Sequence, residues 1–200
     1  PKLVYSFASL AIVGVLAAAT WARAGVWSSH EAILTQGLVE HPDSKWARMD
    51  AIRFEMMQRP TDYAAARAQI EALLESKDPD ARRAGAAWGL MWSCLQEKAP
   101  DPSFTKGAFE GGARTIEADL LSIYEAWGTL VRIRGCPGMS SLDGAEGLPR
   151  VGNETAVPQE YEHVRRIRYK AAELLLDADD PVRARKQAAM AYTGLLKDAP

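Results

Sequence analysis

Leu3 through Ala22 is a run of twenty residues without a charged side chain, bounded by Lys2 on one side and Arg23 on the other. A bilayer core offers the backbone no water to bond to, so only a segment that pairs its own peptide groups can cross it. A helix of this length, rising about 1.5 Å per residue, spans about 30 Å. Tyr5 and Trp21 lie near its two ends, where amphipathic rings suit the two bilayer surfaces. The run therefore predicts a transmembrane helix within residues 1–24, with a domain of ordinary water-soluble composition over residues 25–200. The alternative is an export signal. Lys2 would then be its charged start and Ala22-Arg23-Ala24 its small-x-small cleavage site, although the run exceeds the usual apolar core of roughly 7 to 15 residues. One positive charge at each end leaves the orientation unset. Gly14 and Ala18 form a small-xxx-small pair on which another membrane helix would pack.

The chain carries 24 Lys plus Arg against 26 Asp plus Glu, a formal charge of −2. That balance lacks the basic excess a phosphate backbone demands, and nucleic acid is excluded as a partner. Cys94 and Cys136 lack the C-x-x-C spacing of a zinc or thioredoxin-like site. They are candidates for one disulfide, with Gly135 and Pro137 turning the chain toward Cys94, provided the domain sits in an oxidising compartment. Same-end contact requires the link after Pro100 to run back along the helix pair.

Beyond the first helix, no stretch alternates as a strand does. Helices are expected over residues 31–40, 45–58, 63–76, 79–97, 113–132, 158–176 and 182–197, which are rich in Ala, Leu, Met, Glu and Arg. Ser44, Asp62, Asp78 before Pro79, and Asp180 before Pro181 are their starting caps. Ile116, Leu120, Ile123, Trp127 and Leu130 form one apolar stripe, and Trp46, Trp88, Trp92 and Trp127 suit the core. Residues 135–157, with five glycines and two prolines, read as a long surface loop, and the glycines at 107, 111 and 112 as a flexible link.

Tyr63, Ala66, Ile70 and Leu73, closed by Asp78-Pro79, resemble the second helix of a tetratricopeptide repeat. Trp27 stands fifteen residues before Pro42 as Tyr63 stands sixteen before Pro79, and Asp180, Ala184, Ala188 and Ala191 repeat the theme. The resemblance implies repeat-like blocks over 27–79 and 158–200 around a helical centre at 80–157. The preceding helix lacks the family's Leu-Gly pair, and His30 stands where a small residue is expected. The junction formed by Trp21, Arg23, Trp27 and Pro42 to Ser44 is similar to that of bacterial membrane glycosyltransferase-like proteins, related to protein O-mannosyltransferase-like repeat proteins, that end in a periplasmic tetratricopeptide domain. This implies an inner-membrane location with the soluble domain in the periplasm. The catalytic acid of such transferases lies in an early loop to which nothing in this chain corresponds.

No pattern calls for a metal or cofactor. His30, His41 and His163 are scattered, and Asp177, Asp179 and Asp180 lack the glycine and distal Glu of a calcium loop. The expected class is an all-α chain, a transmembrane helix followed by a tetratricopeptide-like array of helical hairpins. Its expected function is non-catalytic: holding a protein or peptide in the repeat groove. Arg48 and Arg53 are candidate groove residues, and Arg165, Arg166 and Arg168 are a candidate patch for an acidic partner or anionic lipid, set against a plain solvated face. Positioning a protein or glycan substrate for a membrane glycosyltransferase, and a secreted repeat protein freed by signal cleavage, are the alternatives.

Overall fold

A computed structural model describes residues 2–58, 61–110, 118–155, 158 and 161–197. Gly111, Gly112, Ile116 and Val157 lie outside them. The described residues are all-helical, without a strand. The elements are α1 (Lys2–Val26), α2 (His30–Glu40), α3 (Lys45–Met57), α4 (Tyr63–Leu74), α5 (Pro79–Leu95), α6 (Pro102–Glu110), α7 (Ala118–Arg134), α8 (Ser141–Glu154), α9 (Glu162–Asp177) and α10 (Pro181–Lys197).

The expected caps set the helix starts. The Ser44 hydroxyl accepts from Ala47 N, Asp62 Oδ1 accepts from Ala64 N and Ala65 N, and Asp78 Oδ1 accepts from Asp80 N. Asp180 does the same for Arg183 N ahead of α10. Each relieves backbone donors that have no partner inside the helix. At the C-termini of α5 and α9, Glu97 (φ 57°) and Asp179 (φ 61°) turn left-handed, and the next amides, Lys98 N and Asp180 N, close back on Ser93 O and Leu175 O.

Two helices replace expected irregular stretches. Residues 102–110 form α6, and most of the supposed surface loop forms α8, opened by a reciprocal capping box between Ser140 and Asp143. Their glycines are packing positions rather than hinges. A Cβ at Gly107 would meet Ala86 Cβ at 2.8 Å, and one at Gly147 would meet the Phe109 ring at 2.6 Å. The absent side chains let α6 and α8 approach their neighbours, and Leu148 and Val151 are buried beneath them.

Packing follows an alternating order. α3, α5, α7 and α9 form one row, each against the next, and α4, α6, α8 and α10 pack beside them. One core runs continuously from Met49 to Ala184, so the central helices share it with both ends. α5 lies at its middle: every residue from Arg83 to Cys94 is buried, with Gly85 on the α4 backbone and Gly89 against Phe104. Trp88, Trp92 and Trp127 are core residues as expected. Trp46 is not: it stands 53% exposed on α3.

Candidate functional site

The apolar run lies in α1, and over residues 11–22 the described chain leaves it bare. Ile12, Val13, Val15 and Leu16 each keep 60% or more of their surface open, a state water penalises for contiguous apolar side chains. No single helix among the described residues is long and apolar enough to cross a membrane, but Ala11–Val26 and His30–Glu40 pass that test together, bent by 110° at the break. Inside the elbow lies a cavity of about 510 Å³ lined by Ala19, Arg23, Trp27, Ile33, Gln36 and Glu40 among others. Gln36 Nε2 donates to Glu40 Oε1 at 2.6 Å.

On α3 the exposed residues Trp46, Asp50, Arg53 and Met57 recur at helical spacing as one stripe. Apolar ends flank a charged centre in which Arg53 pairs with Asp50 at 3.4 Å. Arg48 turns away from this stripe, donating to Gln69 Oε1 on α4 at 2.9 Å and lining a polar cavity with Asp43, Lys77 and Asp78. The two arginines therefore serve different surfaces.

The basic run on α9 does not form one patch. Arg166 is held by Glu125 and Glu162, with His163 Nδ1 3.1 Å from the same Glu125 carboxylate. Arg168 is buried and donates to Gly152 O at 3.3 Å and Asn153 Oδ1 at 3.0 Å, and burial lowers its pKa from the ordinary arginine value. It lies beyond a partner's reach, correcting its place in a docking patch. Arg165 has no ion-pair partner among the described residues.

Sequence reasoning missed the most enclosed charge. Arg83, on α5, donates from Nε to Ala108 O at 3.1 Å and from Nη2 to Glu154 Oε2 at 2.7 Å. The Tyr124 hydroxyl donates to the same Ala108 carbonyl at 2.7 Å. Ala108 O is one of the last carbonyls of α6, which its own helix cannot satisfy, so side chains from α5 and α7 cap it. The available signal was an Arg within an Ala- and Gly-rich helix, a cation placed where the periodicity points inward.

Cys94 and Cys136 are joined, with a Cα–Cα separation of 4.9 Å. α6 supplies the return path that same-end contact requires: α5 and α7 finish at one end because α6 runs back between them. Gly135 (φ 69°) and Gly138 (φ 73°) shape the turn around Cys136, and both sulfur-bearing residues are buried. Among the described residues, no group of three or more His, Cys, Asp or Glu is placed to hold a metal ion. No protein-family model matches the chain, and neither does any curated protein or solved structure.

Proposed function

We propose that this chain is a membrane-tethered helical repeat module that binds a protein partner and carries no reactive chemistry of its own. The observation that carries the reading is α1: a helix with an uncharged run whose apolar side chains Ile12, Val13, Val15 and Leu16 stay open, with Trp21 and Arg23 near its end and Trp27 just beyond it. Lipid is the environment that removes this cost. The row-and-flank arrangement of α3 to α10 supports the repeat reading, because in stacked hairpins each first helix touches its own partner and the next first helix. In the proposed setting the domain is the periplasmic accessory end of a larger glycosyltransferase-like protein of a bacterial inner membrane, as the junction around Trp21, Arg23 and Pro42 to Ser44 suggests. α5 is closed on all sides, so the partner surface is assigned to the α3 stripe from Trp46 to Met57 rather than to a groove along the whole row.

Membrane fractionation tests the tether. The protein should remain with membranes through high-salt and carbonate washing, since apolar burial is insensitive to ionic strength. A soluble product beginning near Gly25 overturns the reading in favour of a cleaved signal. A photo-crosslinker at Arg53 should capture a discrete protein in intact membranes, whereas one at Val182, on the exposed face of α10, should not; equal labelling from both removes the α3 surface.

A further inference from the structure

On the tether reading, the elbow between α1 and α2 acquires a chemical role. We infer that it seats one zwitterionic phospholipid headgroup, with the phosphate on Arg23 and the ammonium on Glu40.

The geometry places the cavity on the lipid side. A bend of 110° carries α2 past the perpendicular, so that it slopes back toward the level of Ala19, and the inner side of the elbow faces the end of α1 that holds the uncharged run. With α1 across the bilayer, the cavity opens at headgroup depth. Its walls match the ligand in parts. Ala19 and Ile33 offer apolar surface toward the acyl side, and Trp27, 70% exposed, offers an amphipathic ring of the kind that settles at the bilayer surface. Arg23 brings the cation. Among the described residues it has no ion-pair partner, although Glu40 lines the same cavity.

Glu40 brings the anion, and no cation pairs with it among the described residues. Gln36 Nε2 bonds its Oε1 and orients the carboxylate, leaving Oε2 for another donor. One positive and one negative group, lining a cavity of about 510 Å³ without an ion pair between them, complement a ligand carrying both signs. Charge-assisted hydrogen bonds in this partly desolvated layer are stronger than in water. Phosphatidylethanolamine has a compact ammonium with three donors and satisfies both ends. Phosphatidylglycerol satisfies only Arg23 and brings no cation to Glu40.

Lipid retention by the full chain in detergent, exchanged against an equimolar mixture of these two lipids with identical acyl chains and read by native mass spectrometry, tests the inference. The wild type should retain one phosphatidylethanolamine, in preference to phosphatidylglycerol by about fivefold. Glu40→Gln should abolish the preference, and Arg23→Gln should reduce retention of both lipids. Both positions are exposed, and unchanged far-UV circular dichroism certifies each variant as folded. A wild type without preference, or a Glu40→Gln variant that keeps it, overturns the headgroup site. Flotation of the same preparations with phosphatidylcholine vesicles separates the two readings: floating without headgroup preference leaves the tether and removes the site, while failure to float overturns both.

Discussion

Replacing Gly147 by alanine should destabilise the domain, against the ordinary expectation for glycine within a helix. Alanine in place of an interior helical glycine normally adds about 0.5–1 kcal/mol. At Gly147 the new Cβ would lie 2.6 Å from Phe109 Cε1, 2.7 Å from Cζ and 2.8 Å from Cδ1. The ring has nowhere to withdraw. It is 5% exposed and already tilts against Tyr124 and Trp127, with centroids 5.8 and 5.3 Å away. Overpacking costs about 1–3 kcal/mol, and with three ring atoms inside 3.0 Å and no room to withdraw the upper part of that range, about 2–3 kcal/mol, applies, which leaves a net loss of about 1–2 kcal/mol after the gain in helix propensity. Gly152 on the same helix is the internal control. Its nearest neighbour would be Arg168 Cζ at 3.5 Å, an ordinary contact, so Gly152→Ala keeps only the propensity gain. Thermal unfolding of the full chain in detergent, followed by far-UV circular dichroism, should show Gly147→Ala melting about 2–8 °C lower and Gly152→Ala up to about 4 °C higher. Equal shifts of the same sign in the two variants, or an unchanged Tm for Gly147→Ala, would refute the packing argument for α8.

Two further outcomes are expected. Burial pushes the Tyr124 phenol up to about 12, against the pull of Arg83, so the folded state keeps a proton that the unfolded chain releases near pH 10. The stability that this proton confers is fully present below about pH 10 and is lost as the pH rises toward 12, so the advantage of the wild type over Tyr124→Phe in denaturant unfolding should narrow across that window. A constant difference would count against it. The unfolded, unreduced protein should titrate no free thiol, and the Cys94→Ser, Cys136→Ser pair should lose about 3–4 kcal/mol, the loop entropy appropriate to a sequence separation of 42 residues. Two reactive thiols would end the disulfide and weaken the case for an oxidising compartment.

Four helix starts were legible because a cap is a local bond: Ser44, Asp62, Asp78 and Asp180 all act as read, whereas Asp101 and Ser140 cap α6 and α8 without having been read as helix starts. The stripe of Leu120, Ile123 and Trp127 was equally plain. α8 was not, because glycine is locally a breaker and becomes a packing residue only when Phe109, Trp127 and Leu174 are already in place around it. The arginines of α9 were misjudged as a set for the same reason. Spacing around a helix reports the angle of each side chain, but Glu125 on α7 and Gly152 on α8, which claim Arg166 and Arg168, belong to other segments. Trp46 shows the converse: its size argues for burial, yet no neighbouring helix covers that side of α3.

The enclosure of α5 also governs how the molecule comes apart. In a stack whose layers touch only their nearest neighbours, each hairpin opens nearly on its own and the ends fray independently. Here the contacts of α5 with α3, α4, α6 and α7 are those of adjacent layers, but its Arg83 also grips the last turn of α6 and the tail of α8, and the disulfide fastens its end to that of α7. None of these segments can leave without exposing the others. Amide exchange should divide the chain accordingly: slow protons throughout α4 to α9 that exchange together, faster ones in α2 and α10, and a single cooperative transition where a string of independent repeats would give several.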